Sequence, residues 1–294
     1  MKTKICLYIF FLIAFFPYCG KSTNRQNQQE TLDTIPKGAI KLQYEERKHP
    51  RLEGLINDSI KCSMMWDTGV ADDIIIVNDS LFNLYGDSAL VRVGKFEKKL
   101  KVVYYKSKEL FQAIGNNTAI IGKDFFKGKI IEVSLAHRYL REVENLDAVK
   151  DNYSKIKLQK ALHLNLPINT LYIQGKEINA FLIFDTGSDG TIYLNYLIGV
   201  EHGLDLSNIL PTKAIMANGK LAEKSGVTMD SILLNNQYMI NKEYPIVFMK
   251  YPNPDAMIGG IGCGILDDFT FILDQVNYDL YLKPLDCDIK QQNK

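Results

Sequence analysis

Two aspartates sit in matching frames in this chain. Phe181-Leu182-Ile183-Phe184-Asp185-Thr186-Gly187-Ser188 carries one, and Met64-Met65-Trp66-Asp67-Thr68-Gly69-Val70 carries the other. In each frame an apolar run delivers an aspartate, a threonine and a glycine to a tight turn. A single Asp-Thr-Gly arises easily by chance and by itself marks a turn. Two copies in the same setting point to two related halves that bring Asp67 and Asp185 together. Carboxyls forced close cannot both ionise cheaply, so they share a proton. The ionised one can take a proton from a water held between them, while the other donates to a carbonyl oxygen. That chemistry is amide hydrolysis without a covalent intermediate. Gly69 and Gly187 let the two backbones approach where a Cβ would clash.

The elements that must place these residues are strands. Val, Ile, Tyr and Phe recur in short runs, and long stretches at helical spacing are scarce, so the fold is expected to be mainly β. At an offset of 118 residues, the separation of Asp67 and Asp185, Ile60 falls on Ile178, Met64 on Leu182, Trp66 on Phe184 and Ile74 on Ile192. Turn signals precede both entering strands, Asn57-Asp58 in one half and Gly175-Lys176 in the other. A second block matches at an offset of 140 residues, setting Ala119-Ile120-Ile121-Gly122 against Gly260-Ile261-Gly262, and Leu140 against Leu280. Met257-Ile258-Gly259 competes for that second glycine. The offsets of 118 and 140 leave 22 extra residues in the second half. Part of that excess lies in Ala214 to Leu221, where Asn218-Gly219 signals a hairpin turn.

Together these motifs resemble the pepsin and retroviral-protease superfamily of aspartic proteases, and more narrowly exported bacterial proteins with two retropepsin-like halves. The residues that carry the resemblance are Asp67-Thr68-Gly69 with Ile120-Ile121-Gly122, and Asp185-Thr186-Gly187 with Ile261-Gly262. It covers about residues 39–284. The resemblance implies a two-lobed acid-protease fold with pseudo-two-fold symmetry, Asp67 and Asp185 as the catalytic pair, and an extended peptide or protein segment as substrate. It also implies that Thr68 and Thr186 hydrogen-bond across to the opposite loop. Ser188 is placed to orient the outer oxygen of Asp185. Val70 stands at the matching position of the first half and cannot donate that bond. The candidate lid is the hairpin at Asn218 and Gly219 in the second half. A catalytically inactive cell-surface peptide-binding protein of the same fold is the alternative reading, and a dimer with sites shared between two chains is a third.

Composition narrows the other classes. The 294 residues hold 35 basic and 34 acidic side chains for a net charge of +1, which gives no reason to expect a nucleic-acid partner. His49, His137, His163 and His202 lack zinc-ligand spacing, and Asp185 to Gly190 departs from a calcium loop. No metal or organic cofactor is expected. Lys2 and Lys4 precede an apolar run from Ile5 to Phe16, which is too short to span a membrane. It reads as an export signal. Cys19 just beyond it resembles the acylation site of a bacterial lipoprotein, although Phe16-Pro17-Tyr18 replaces the usual small residues. We therefore expect an exported, membrane-anchored monomer. Its expected organisation is a signal over 1–18, a tether over 19–38, a first lobe over 39–141, a connector over 142–160, a second lobe over 161–285 and a polar tail over 286–294. Cys62, Cys263 and Cys287 allow one disulfide, whose pairing the sequence leaves open.

Overall fold

A computed structural model describes residues 35–43, 49–70, 73–78, 87–105, 108–115, 117–160, 163–211, 214–216, 221–250, 259–285 and 289–291, and the backbone of 12–13. Most of the signal and tether, Cys19, Cys287, Asn218 and Gly219 lie outside the described residues. The chain is mainly β, arranged in three sheets.

The first sheet is a closed barrel. Its strands follow the order Arg51–Ile56, Ile60–Asp67, Thr118–Gly122, Ile74–Asn78, Phe96–Tyr105 and Ser88–Val93. Strands with one wet face alternate, as in Ser88–Val93, where Ala89, Val91 and Val93 are buried. Ile74–Asn78 has four consecutive buried residues, as expected of a strand covered on both faces.

In the second half the order is Leu164–Ile173, Lys176–Phe184, Gly259–Ile261, Ile192–Asn195, Tyr244–Lys250 and Leu221–Leu234. Leu221–Leu234 then pairs back onto Leu164–Ile173. The order matches the barrel strand for strand. Each aspartate-bearing strand lies parallel to its glycine strand, and that strand lies antiparallel to the next. Gln174 and Gly175, both at positive φ, make the two-residue turn between the first two strands of this half.

Register settles two alignments. Trp66 pairs with Ile121 and Phe184 with Ile261, so Gly262 is the counterpart of Gly122, and Gly259 is not. Ile192 faces Ile261 while Ile75 faces Ile121. The counterpart of Ile192 is therefore Ile75, one residue beyond the expected Ile74. The first aspartate loop is one residue longer than the second, which an ungapped offset cannot represent.

The third sheet joins the halves. Its order is Ser154–Lys157, Asp279–Pro284, Phe269–Asp274, Ile130–Ser134, Tyr139–Glu142 and Ile40–Lys41. At its centre Glu132 pairs with Ile272, and these two residues differ by the same offset that aligns Gly122 with Gly262. Ser154–Lys157 is a strand within the expected connector. One apolar core runs through both halves, with Trp66 packed edge-on against Phe126 at a centroid distance of 5.0 Å. Cys62 and Cys263 are buried free thiols. No helix among the described residues is long and apolar enough to cross a membrane.

Candidate active site

Asp67 ends its strand, and Asp185 immediately follows Phe184. The Asp185 backbone N–H donates to Ile261 O at 3.0 Å, anchoring the loop to the glycine strand. The loops lock through their threonines. Thr68 Oγ1 donates to Phe184 O at 2.6 Å and accepts the Thr186 backbone N–H at 3.0 Å. Thr186 Oγ1 donates to Trp66 O at 2.7 Å and accepts the Thr68 backbone N–H at 3.1 Å. Each hydroxyl thus satisfies a donor and an acceptor of the opposite loop, all in a dry setting where an unmade bond is costly.

That lock sets the carboxyls against each other. Asp67 and Asp185 lie within hydrogen-bond reach, and their residues are only 1% and 2% exposed. Gly69 N–H donates to Asp67 Oδ1 at 2.8 Å and Gly187 N–H to Asp185 Oδ1 at 3.0 Å. A Cβ on Gly187 would stand 2.0 Å from the Asp67 carboxyl, and one on Gly69 would stand 2.7 Å from Asp185 Oδ1. Glycine at both positions is what allows the approach.

The outer oxygens are treated differently. Asp185 Oδ2 accepts a hydrogen bond from Tyr193 Oη at 2.8 Å. Ser188, expected to serve that oxygen, has a buried hydroxyl with no hydrogen-bond partner among the described residues. The tyrosine has taken its place. Asp67 Oδ2 has no such donor among the described residues, and Val70 at the matching position is fully buried. Burial raises the Asp67 carboxyl well above its usual range, and the neighbouring Asp185 adds to the rise. Burial also lifts Asp185, to about 6, against the hydrogen bonds from Tyr193, Asp67 and Gly187 that hold it down. Two buried carboxyls side by side, both raised, can share a single proton.

Two different apolar clusters flank the strands that lead to the carboxyls. Residues two apart on a strand share a face, so Met65 lies on the side of Asp67 and Ile183 on that of Asp185. Met65 packs with Val70, Ile76 and Ile120 under Leu110, Phe111 and Ile114 of the helix Lys108–Ile114. Ile183 and Tyr193 instead pack with Ala214 and Ala222. Those alanines face each other where Ala214–Met216 pairs with Leu221–Leu234.

Sequence reasoning missed Tyr193. Its signal is the strand pairing of Tyr193 with Gly260, where the first half pairs Ile76 with Ile120. No cluster of His, Cys, Asp and Glu able to hold a metal is found among the described residues. No protein-family model matches this chain, and a search of curated proteins finds no match.

Proposed function

We propose that this protein is an aspartic endopeptidase with a two-lobed acid-protease fold, its retropepsin-like halves related by a pseudo-two-fold axis. The observation that carries the reading is the reciprocal Thr68–Thr186 exchange, which clamps two buried carboxyls within hydrogen-bond reach. The shared strand order of the halves and the Glu132–Ile272 pair support the symmetry.

In this reading a water between the carboxyls loses a proton to Asp185 as it attacks the scissile carbonyl, and Asp67 donates its proton to the carbonyl oxygen. The substrate is an extended peptide segment held by strand-like backbone hydrogen bonds. The antiparallel pair Ala214–Met216 and Leu221–Leu234 closes over it and excludes water. No cofactor takes part. The chain works as an exported monomer tethered by lipid on Cys19, which metabolic labelling with a fatty acid in wild type and Cys19→Ala would test.

Incubation of the protein with a peptide library from pH 3 to 7.5 tests the activity by mass spectrometry. Cleavage by wild type and none by Asp67→Asn or Asp185→Asn is the expected result. Val70, which removes a donor from the first loop, favours the alternative of a non-catalytic peptide-binding protein. Peptide binding without cleavage at any pH would establish that alternative.

A further inference from the structure

The two halves differ where they touch the dyad. In the first, Ile76 and Ile120 face each other across the strands and fill the space with hydrocarbon. The second places Tyr193 opposite Gly260, and the missing side chain leaves room for the phenol. A Cβ on Gly260 would lie 2.2 Å from both Tyr193 Oη and Cζ. Tyr193 is 2% exposed and its hydroxyl reaches Asp185 Oδ2 at 2.8 Å, whereas no comparable donor reaches Asp67 Oδ2 among the described residues.

We propose that Tyr193 is a positioning residue of the dyad, holding Asp185 as the carboxyl that ionises first and leaving the proton on Asp67. A phenol in a dry site stabilises a carboxylate by a charge-assisted hydrogen bond, and donates less well to a carboxylic acid. Tyr193 and Gly260 act as a unit, because the ring fits only where the facing residue has no side chain. The inference deepens the protease reading and rests on it for the role of Asp185 as base.

Other titratable groups surround the pair. The Cys263 thiol donates to Thr186 O at 3.3 Å, and burial with the nearby aspartates raises its pKa, so it stays neutral. Asp189 follows in the same loop and exerts its charge on Lys224 of the long strand Leu221–Leu234. None of these discriminates between Asp67 and Asp185 by direct contact, as Tyr193 does.

The test is a carboxyl-carbon NMR titration of the full-length protein, with the dyad assigned through Asp67→Asn and Asp185→Asn. In Tyr193→Phe the lower dyad step is expected to rise by about one pH unit, the worth of one charge-assisted hydrogen bond. The acid limb of the cleavage profile should move by the same amount, with KM unchanged. Gly260→Ala should reproduce the shift by expelling the hydroxyl. The double variant Tyr193→Ile with Gly260→Ile installs the pair found in the first half, so it should fold and show the same shift. An unchanged lower step in Tyr193→Phe, or in the folded double variant, overturns the proposal. A shifted titration in a protein that cleaves nothing would support the role of Tyr193 in the dyad and sink the protease reading instead.

Discussion

Thr186 Oγ1 donates to the carbonyl of Trp66, and Thr68 Oγ1 returns the bond to the carbonyl of Phe184. The two loops are thereby held by buried side chains. Replacing either threonine by alanine leaves a buried N–H and a buried C=O of the opposite loop without partners. We expect Thr68→Ala and Thr186→Ala each to cost about 1–3 kcal/mol of stability. The double variant should cost about their sum, because the two hydroxyls serve different backbone groups. Threonine-to-serine variants, which keep the hydroxyl, should fall closer to wild type. Urea denaturation of wild type and the five variants reads all of this.

The Asp185 carboxyl gives stability a pH dependence. Its folded pKa is raised, to about 6, above its ordinary value of 3.8. A raised carboxyl contributes stability that is fully present below the unfolded pKa and is lost as pH rises through the folded one. Relative to Asp185→Asn, wild type should therefore weaken between about pH 4 and pH 6 by up to about 3 kcal/mol, then level off. Chemical denaturation of both proteins at pH 3.5, 5 and 7 checks this. Parallel behaviour across that range would contradict it.

Glycine at the two loops should be required to different degrees. A Cβ on Gly187 would lie 2.0–2.4 Å from the atoms of the Asp67 carboxyl, while one on Gly69 would lie 2.7–3.0 Å from those of Asp185. Gly187→Ala should lower the melting temperature more than Gly69→Ala, and both should lose cleavage. Overpacking of a tight site costs about 1–3 kcal/mol or more.

Val70 packs in an apolar cluster, and on the protease reading its role is packing. It is fully buried among Met65, Ile76, Leu110, Phe111 and Ile120. Val70→Ser should cost about 1–3 kcal/mol by burying a hydroxyl there, and should not increase cleavage. A rise in kcat without loss of stability would show that the position had been a deleted hydrogen-bond donor.

The sequence exposed the parts of the site that are repeated. Asp67 and Asp185 were found because each lies in the same apolar frame, and Gly122 with Gly262 because the glycine strands run without gaps. Asymmetric features were hidden. Tyr193 looks like any apolar residue on an alternating strand, and only its pairing with Gly260 exposes its role. Lys155 to Ile168 alternates like a strand within the charged connector, and Ile156 is the one buried residue of Ser154–Lys157. Lys108–Ile114 is too short for its periodicity to stand out from the strands around it. Ser188 matched the family pattern, yet its hydroxyl has no partner among the described residues, since pattern cannot show that Tyr193 already occupies the oxygen.

The sheet centred on Glu132 and Ile272 draws three strands from each side of the chain and joins them by a ladder from Ile130 to Asp274. The segment 143–153 between the contributions is not what keeps the halves together. A chain cut there would remain one particle, its fragments parting only when the whole sheet melts. Neither fragment alone has a place to end that sheet, since Ile130–Ser134 and Phe269–Asp274 would each expose an open edge. Backbone pairing across that sheet, and not the connection alone, makes the two parts of the chain one body.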